Sequence, residues 1–262
     1  MRRFKHGEPI VLGLAGEALT GKTVTADRLS PPAKVDVDGP VDWSSMAFAT
    51  PLYAMATIRQ KTQGEQVLDR MLYGIHEILV DLFGGSPLYG APAYDELVEM
   101  AYEIVEATCE PDGMKARTFM QIVGTDICRK YDPDCFVRYL QRRVRVDYHR
   151  WESEEQDFYG AVIGDLRFEN EAKMIHEHPN GVLVKFIADI DVRRARSRKR
   201  DGKELTASQH AHSSETGINS IPSSWFDAII DTSYISVDEQ VQRVKDLVYS
   251  FIGGFQFAEN QS

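Results

Sequence analysis

The feature that most constrains this chain is a short apolar run that ends in a glycine-rich turn. Ile10–Ala15 leads without a break into Gly16-Glu17-Ala18-Leu19-Thr20-Gly21-Lys22-Thr23, which has the spacing GxxxxGK[ST]. The run has the length and bulk of a buried strand. Thr20–Leu29 then carries a helical pattern, which Ser30-Pro31-Pro32 stops. Strand, turn and helix in this order make an anion site. Glycines let the backbone turn so that successive N–H groups point inward, and the helix N-terminus adds its partial positive charge. In such a loop Lys22 reaches the β- and γ-phosphates of a nucleotide, and the Thr23 hydroxyl ligates Mg²⁺. Gly16, Leu19, Thr20, Gly21 and Val24 complete the expected ATP cradle.

The rest of the chain alternates in the way such a turn requires. Strands are expected at Ser45–Ala49, Ala161–Gly164, Val182–Ile187 and Asp227–Asp231, five in all with the first. Residues 31–43, rich in Pro and Asp, read as irregular. Helices are expected from Pro51 to about Gln60, over Gln66–Phe83, Tyr94–Ala107, Lys115–Lys130 and Pro133–Tyr148, from the third strand to about Glu177, and over Val192–Arg200 and Val237–Ile252. The pattern predicts a single α/β domain over 1–262, with a five-stranded, mostly parallel sheet flanked by helices. The helical stretch at about 52–148 is too long for one crossover. It reads as an insertion over one edge of the sheet, where an acceptor would sit.

Composition narrows the partners. With 30 Lys and Arg against 40 Asp and Glu, the formal charge of −10 argues against a protein whose task is coating nucleic acid. No stretch approaches the ~20 apolar residues of a membrane span, and the basic start with its short apolar run does not make a secretory signal. Cys109, Cys128 and Cys135 lack metal or disulfide spacing and read as reduced thiols of a cytoplasmic protein.

Three further segments carry chemistry. Asp165-Leu166-Arg167 follows a strand, where ligands of open α/β sheets bind; Asp165 can hold Mg²⁺ through water or act as a base, and Arg167 can clamp a phosphate. Arg117 and Gln121 stand four apart on one helix face and can hold an acceptor phosphate and a base edge. Residues 193–200 hold six basic side chains, among them Arg196 and Arg200. They suit a lid, at about 190–212, over a transferring phosphoryl group. Phe136 is either a base-stacking ring or core. His210 and His212 lack the third ligand of a metal site.

In order along the chain, the phosphate loop, Phe48-Ala49-Thr50-Pro51-Leu52, Arg117-x-x-Met120-Gln121-x-x-Gly124-Thr125-Asp126, Asp165-x-Arg167-x-x-x-Glu171 and His212-x-x-Glu215 resemble the phage-type deoxynucleoside monophosphate kinases. The resemblance covers roughly residues 8–250. It implies a P-loop kinase fold, transfer of the ATP γ-phosphoryl to a deoxynucleoside 5′-monophosphate with Mg²⁺, a homodimer, and supply of viral DNA precursors in the host cytoplasm. It places Lys22 and Thr23 at the ATP phosphates and Mg²⁺. Arg117, Gln121 and Phe136 fall at the acceptor, Asp165 and Arg167 between acceptor and donor, and Glu171 and Glu215 on the acceptor side. That family commonly has Asp where this chain has Thr50. Other readings compatible with the loop are a kinase of hydroxymethylated bases in DNA, a dephospho-coenzyme A kinase, and an ATP-binding regulatory protein with no acceptor.

Overall fold

The protein is described from a computed structural model, which covers residues 4–5, 7–30, 40–61, 67–84, 94–108, 116–151, 158–202 and 217–259. The chain divides into two compact units, one of Met1–Ala47 with Val146–Ser262 and one of Phe48–Arg145.

The first unit is built on a five-stranded sheet of β1 (Ile10–Ala15), β2 (Val41–Met46), β3 (Phe158–Leu166), β4 (Gly181–Ile187) and β5 (Ala228–Asp231). The spatial order is β2-β3-β1-β4-β5 and every pairing is parallel. β1 is therefore central, flanked by β3 and β4, and all of its residues are buried. The strand order reverses beside β1, so the ligand crevice of a doubly wound sheet opens at its carboxyl end.

Helices cover both faces, as the continuous apolar character of β1 requires. On one face Leu12 and Leu14 of β1 join Val182, Val184 and Phe186 of β4 in a core closed by α1 (Lys22–Leu29) and by α10 (Val237–Glu259) through Val244 and Val248. On the other face Gly13 meets α8 (Glu169–Glu177). A Cβ on Gly13 would lie 2.4 Å from the Ile175 methyl and 3.0 Å from that of Leu183. After β4 the chain forms α9 (Ile190–Asp201), and short 3₁₀ turns at Gly217–Ser220 and Ser223–Trp225 precede β5.

The second unit is helical: α2 (Thr50–Lys61), α3 (Val67–Phe83), α4 (Tyr94–Thr108), α5 (Ala116–Gln121), a π-helix (Ile122–Cys128), α6 (Arg129–Tyr131) and the start of α7 (Cys135–Arg150). It occupies the stretch in which the sequence predicts a helical insertion. Among the described residues no helix is long and apolar enough to cross a membrane.

Four boundaries differ from the sequence expectation. β2 starts at Val41, inside the stretch expected to be irregular, because Val41 and Trp43 are both buried while Asp42 and Ser44 alternate outward. β3 runs through Gly160 and Gly164, which looked like strand ends. At Gly160 the Trp43 ring lies 2.6 Å from where a Cβ would be, and at Gly164 the Ala26 methyl lies 3.0 Å away. The helix expected over Lys115–Lys130 is interrupted by the π-helix. The last helix passes Gly253-Gly254, which read as a stop because glycine so often follows a helix C-terminus.

The closeness of α8 to β1 is testable. Gly13→Val should destabilise the chain by roughly 1–3 kcal/mol through overpacking, read as a lower urea midpoint with unchanged slope. A wild-type midpoint would show that this face has room to spare.

Candidate functional site

The turn after β1 is held in a conformation that few residues adopt. Gly16, Leu19 and Gly21 have φ of 150°, 68° and 100°, and Leu19 is the one non-glycine residue with positive φ among the described residues. At Gly16 a Cβ would stand 2.4 Å from the Phe186 carbonyl oxygen of β4, so only glycine lets the loop leave the sheet here. At Gly21 a Cβ would stand 2.6 Å from the Gln240 side-chain oxygen. Gln240 is buried and accepts a hydrogen bond from the Thr25 hydroxyl at 3.1 Å, which ties α1 to α10 behind the loop.

Lys22 is buried at the first position of α1 and folds back into the loop. Its ammonium donates to the carbonyls of Gly16 at 2.5 Å and Glu17 at 2.9 Å. The Thr20 hydroxyl donates to the Glu17 carbonyl at 2.9 Å. Thr23 and Val24 are exposed on the first turn of α1. The end of β3 lies against this turn, because a Cβ on Gly164 would be 3.4 Å from the Thr23 Cα. Asp165, the next residue, is half-buried at the carboxyl end of β3, and Arg167 is half-buried just beyond it. Lys22, Thr23, Asp165 and Arg167 are thus gathered at one end of the sheet, as the sequence predicts.

Glu171 has a different place from the acceptor contact expected of it. Its carboxylate is buried and accepts the backbone N–H groups of Arg167 at 2.8 Å and Phe168 at 3.0 Å. It closes the start of α8 as the acidic half of a capping box and fixes the backbone that carries Arg167. The 3₁₀ turn at Gly217 crosses close above, since a Cβ there would lie 2.8 Å from the Arg167 carbonyl.

α9 brings its arginines to the loop unequally. Arg193 is nearly buried and pairs with the Glu17 carboxylate, while its Nε is buried without a hydrogen-bond partner. A cavity of ≈160 Å³ lies here, bounded by Glu17, Thr20, Lys185, Arg193 and Asn219. Arg196 was expected to bind ATP, but its guanidinium is engaged by the protein. Nη1 donates to the Leu19 carbonyl at 2.9 Å and to the Thr232 hydroxyl at 3.3 Å, and Nη2 donates to the Thr232 carbonyl at 2.6 Å. Arg200, also placed at ATP by the sequence, is exposed one turn further on. The remainder of the expected lid, residues 203–216, lies outside the described residues, and Glu215, His210 and His212 with it.

The acceptor residues of the second unit divide. Gln121 ends α5 and is half-buried. Arg117 sits one turn earlier on α5, and its side chain lies outside what the structure describes. Phe136 is corrected to a core residue. It is 1% exposed, and the Arg129 guanidinium caps its ring at 4.7 Å from the centroid, so it has no face to offer a base. The bulk that suggested a stacking ring serves packing instead. Burial pushes the neighbouring Cys135 thiol up to about 12, and Cys128 is raised by the same cause. Both stay protonated and unreactive at neutral pH.

Sequence reasoning did not find Glu17, Gln240 or Thr232. All three matter through contacts with residues distant in the chain. Only the charge complementarity of Glu17 with the run at 193–200 left a trace to follow. Among the described residues no group of three or more His, Cys, Asp or Glu side chains is placed to hold a metal. The oxygen donors that do fit one, the Thr23 hydroxyl and the Asp165 carboxylate, suit Mg²⁺ arriving on a nucleotide, because Mg²⁺ keeps waters and phosphate oxygens and takes few protein ligands.

Removing the Glu171 carboxylate leaves two buried N–H groups without an acceptor. Glu171→Ala should cost about 1–3 kcal/mol in urea unfolding, and Glu171→Gln, which keeps one acceptor oxygen, should cost less. Equal losses in the two variants would mean that the carboxylate charge matters more than the cap. Phe136→Ala should cost about 3–5 kcal/mol; an unchanged stability would return Phe136 to the ligand-facing residues.

No protein-family model matches the chain, and no curated protein matches it.

Proposed function

We propose that the chain is a P-loop kinase that transfers the γ-phosphoryl group of Mg-ATP to a deoxynucleoside 5′-monophosphate. The observation that carries this reading is the loop itself. A central parallel strand runs into a turn with left-handed residues at Gly16, Leu19 and Gly21, and the Lys22 ammonium lies inside that turn. Such a turn aims backbone N–H groups and a helix N-terminus at one point, which is what a triphosphate needs. The α/β sheet with its carboxyl-end crevice is compatible with this use.

In this reading Lys22 leaves the Gly16 and Glu17 carbonyls for the β- and γ-phosphates. The Thr23 hydroxyl and Asp165 hold Mg²⁺, which neutralises charge on the phosphate oxygens when bound. Arg167, on a backbone fixed by Glu171, meets the transferring group. Arg117 and Gln121 hold the acceptor. An oxygen of the acceptor phosphate attacks the γ-phosphorus, the bond from that phosphorus to the β–γ bridging oxygen breaks, and ADP leaves with the electron pair. A phosphate monoester has its second pKa at about 6, so the attacking oxygen is already ionised at neutral pH. No general base is needed, and Asp165 serves to position rather than to accept a proton. Rate then comes from alignment and charge neutralisation.

The test is ADP formation from Mg-ATP against each deoxynucleoside monophosphate, the matching ribonucleotides, dephospho-coenzyme A and hydroxymethylated DNA. Acceptor-dependent ADP with a deoxynucleoside monophosphate is expected. ADP release that ignores every acceptor would overturn the kinase and leave a nucleotide-binding protein. Lys22→Ala should lower turnover by at least about a hundredfold, the scale of losing one preorganised charge at the transition state. Its circular-dichroism spectrum should not change. Undiminished transfer in that variant would remove the loop from the reaction.

A further inference from the structure

The Leu19 backbone poses a physical problem that glycine usually solves. A side chain in the left-handed region costs about 1–2 kcal/mol relative to the ordinary conformation, yet φ at Leu19 is 68°. The energy to hold it there must come from its neighbours. Two side chains outside the loop grip the adjoining carbonyls. The Arg196 guanidinium bonds the Leu19 carbonyl, and the Thr232 hydroxyl donates to the Thr20 carbonyl at 2.8 Å, with the Ile187 carbonyl 3.1 Å away sharing the proton. The two grips are joined, since Arg196 also bonds both the hydroxyl and the carbonyl of Thr232. Thr232 itself is completely buried and anchored by its N–H to the Ile187 carbonyl at 2.9 Å. The end of β4, the start of the β5–α10 connection and α9 thereby converge on two consecutive peptide groups of the loop.

We infer that Arg196 and Thr232 are positioning residues that hold the loop in its anion-binding form, with Arg196 acting on the nucleotide through the Leu19 peptide and not through the phosphates. The inference rests on the proposed nucleotide site. A lysine at 196 keeps the positive charge but cannot span Leu19 and Thr232 together, because it lacks the planar fork. A valine at 232 keeps the shape and loses the hydroxyl, whereas a serine keeps the hydroxyl.

The experiment measures Mg-ATP binding to the full chain by titration calorimetry, with thermal melting alongside. In the otherwise wild-type chain Arg196→Lys and Thr232→Val should each weaken binding about tenfold, the scale of one lost hydrogen bond to a strained peptide. Thr232→Ser should bind as the wild type does. In a Leu19→Gly background the left-handed conformation needs no support, so there Arg196→Lys should weaken binding by less than about threefold. A merely structural role would lower the melting temperature equally in both backgrounds and would not produce that difference. The same loss from Arg196→Lys in both backgrounds, or wild-type affinity of Arg196→Lys in the first, overturns the inference and leaves the nucleotide site standing. Failure of the wild-type chain to bind Mg-ATP overturns the nucleotide site and this inference together.

Discussion

The first unit depends on one close approach, that of the Phe186 carbonyl to Gly16. β4 passes so near the end of β1 that no side chain fits between them, and the loop must turn away from the sheet at that point. Once it turns, Lys22 is carried over the loop and α1 starts beneath it. The same economy of space recurs around the site. Gly164 lets β3 lie against α1, Gly21 lets Gln240 come up behind the loop, and Gly13 lets α8 settle on β1. Four glycines on two strands and one turn set how closely the catalytic end of the sheet is assembled. Each is required by a neighbour, and those neighbours come from β4, α1, α10 and α8 in turn.

Electrostatically the loop is crowded with cations that have found partners within the protein. Lys22 lies on carbonyls, Arg193 on Glu17, and Arg196 on the Leu19 and Thr232 carbonyls. Carbonyl oxygens are weaker partners for an ammonium than phosphate oxygens are, so Lys22 is held in readiness. Glu17 is a full charge and a stronger competitor for Arg193. The chain is strongly acidic overall, yet its positive charge is concentrated where an anion would be taken up. Net charge therefore says little about what such a site binds.

Much of this was legible in the sequence because it rests on local pattern. The loop, its flanking strand and helix, the alternation of strands with helices and the helical stretch in the middle all follow from residues close in the chain. The gathering of Asp165 and Arg167 beside Lys22 was also legible, since a carboxyl-end position on a strand implies a crevice. What was lost depends on contacts between distant residues. Gly160 and Gly164 looked like strand ends because the Trp43 ring and the Ala26 methyl that fill their missing side chains lie far away in the chain. Phe136 and Glu171 were read as ligand-facing because their types suit that task. Burial assigned the first to packing and the second to a cap. Arg196 was correctly picked from a basic run, but its partners are main-chain carbonyls, which no residue pattern records.

The π-helix at Ile122–Cys128 bears on how this chain could change. A π-turn closes its hydrogen bonds one residue later than an α-turn, so it holds a residue that an α-helix of the same span would not need. Every side chain from Arg129 to Tyr131 is rotated about the helix axis by that extra residue. The segment is thus a register setting. Losing one residue between Ile122 and Cys128 would let the backbone relax into a plain α-helix while turning all that follows to a new face. Length variation here would act as rotation.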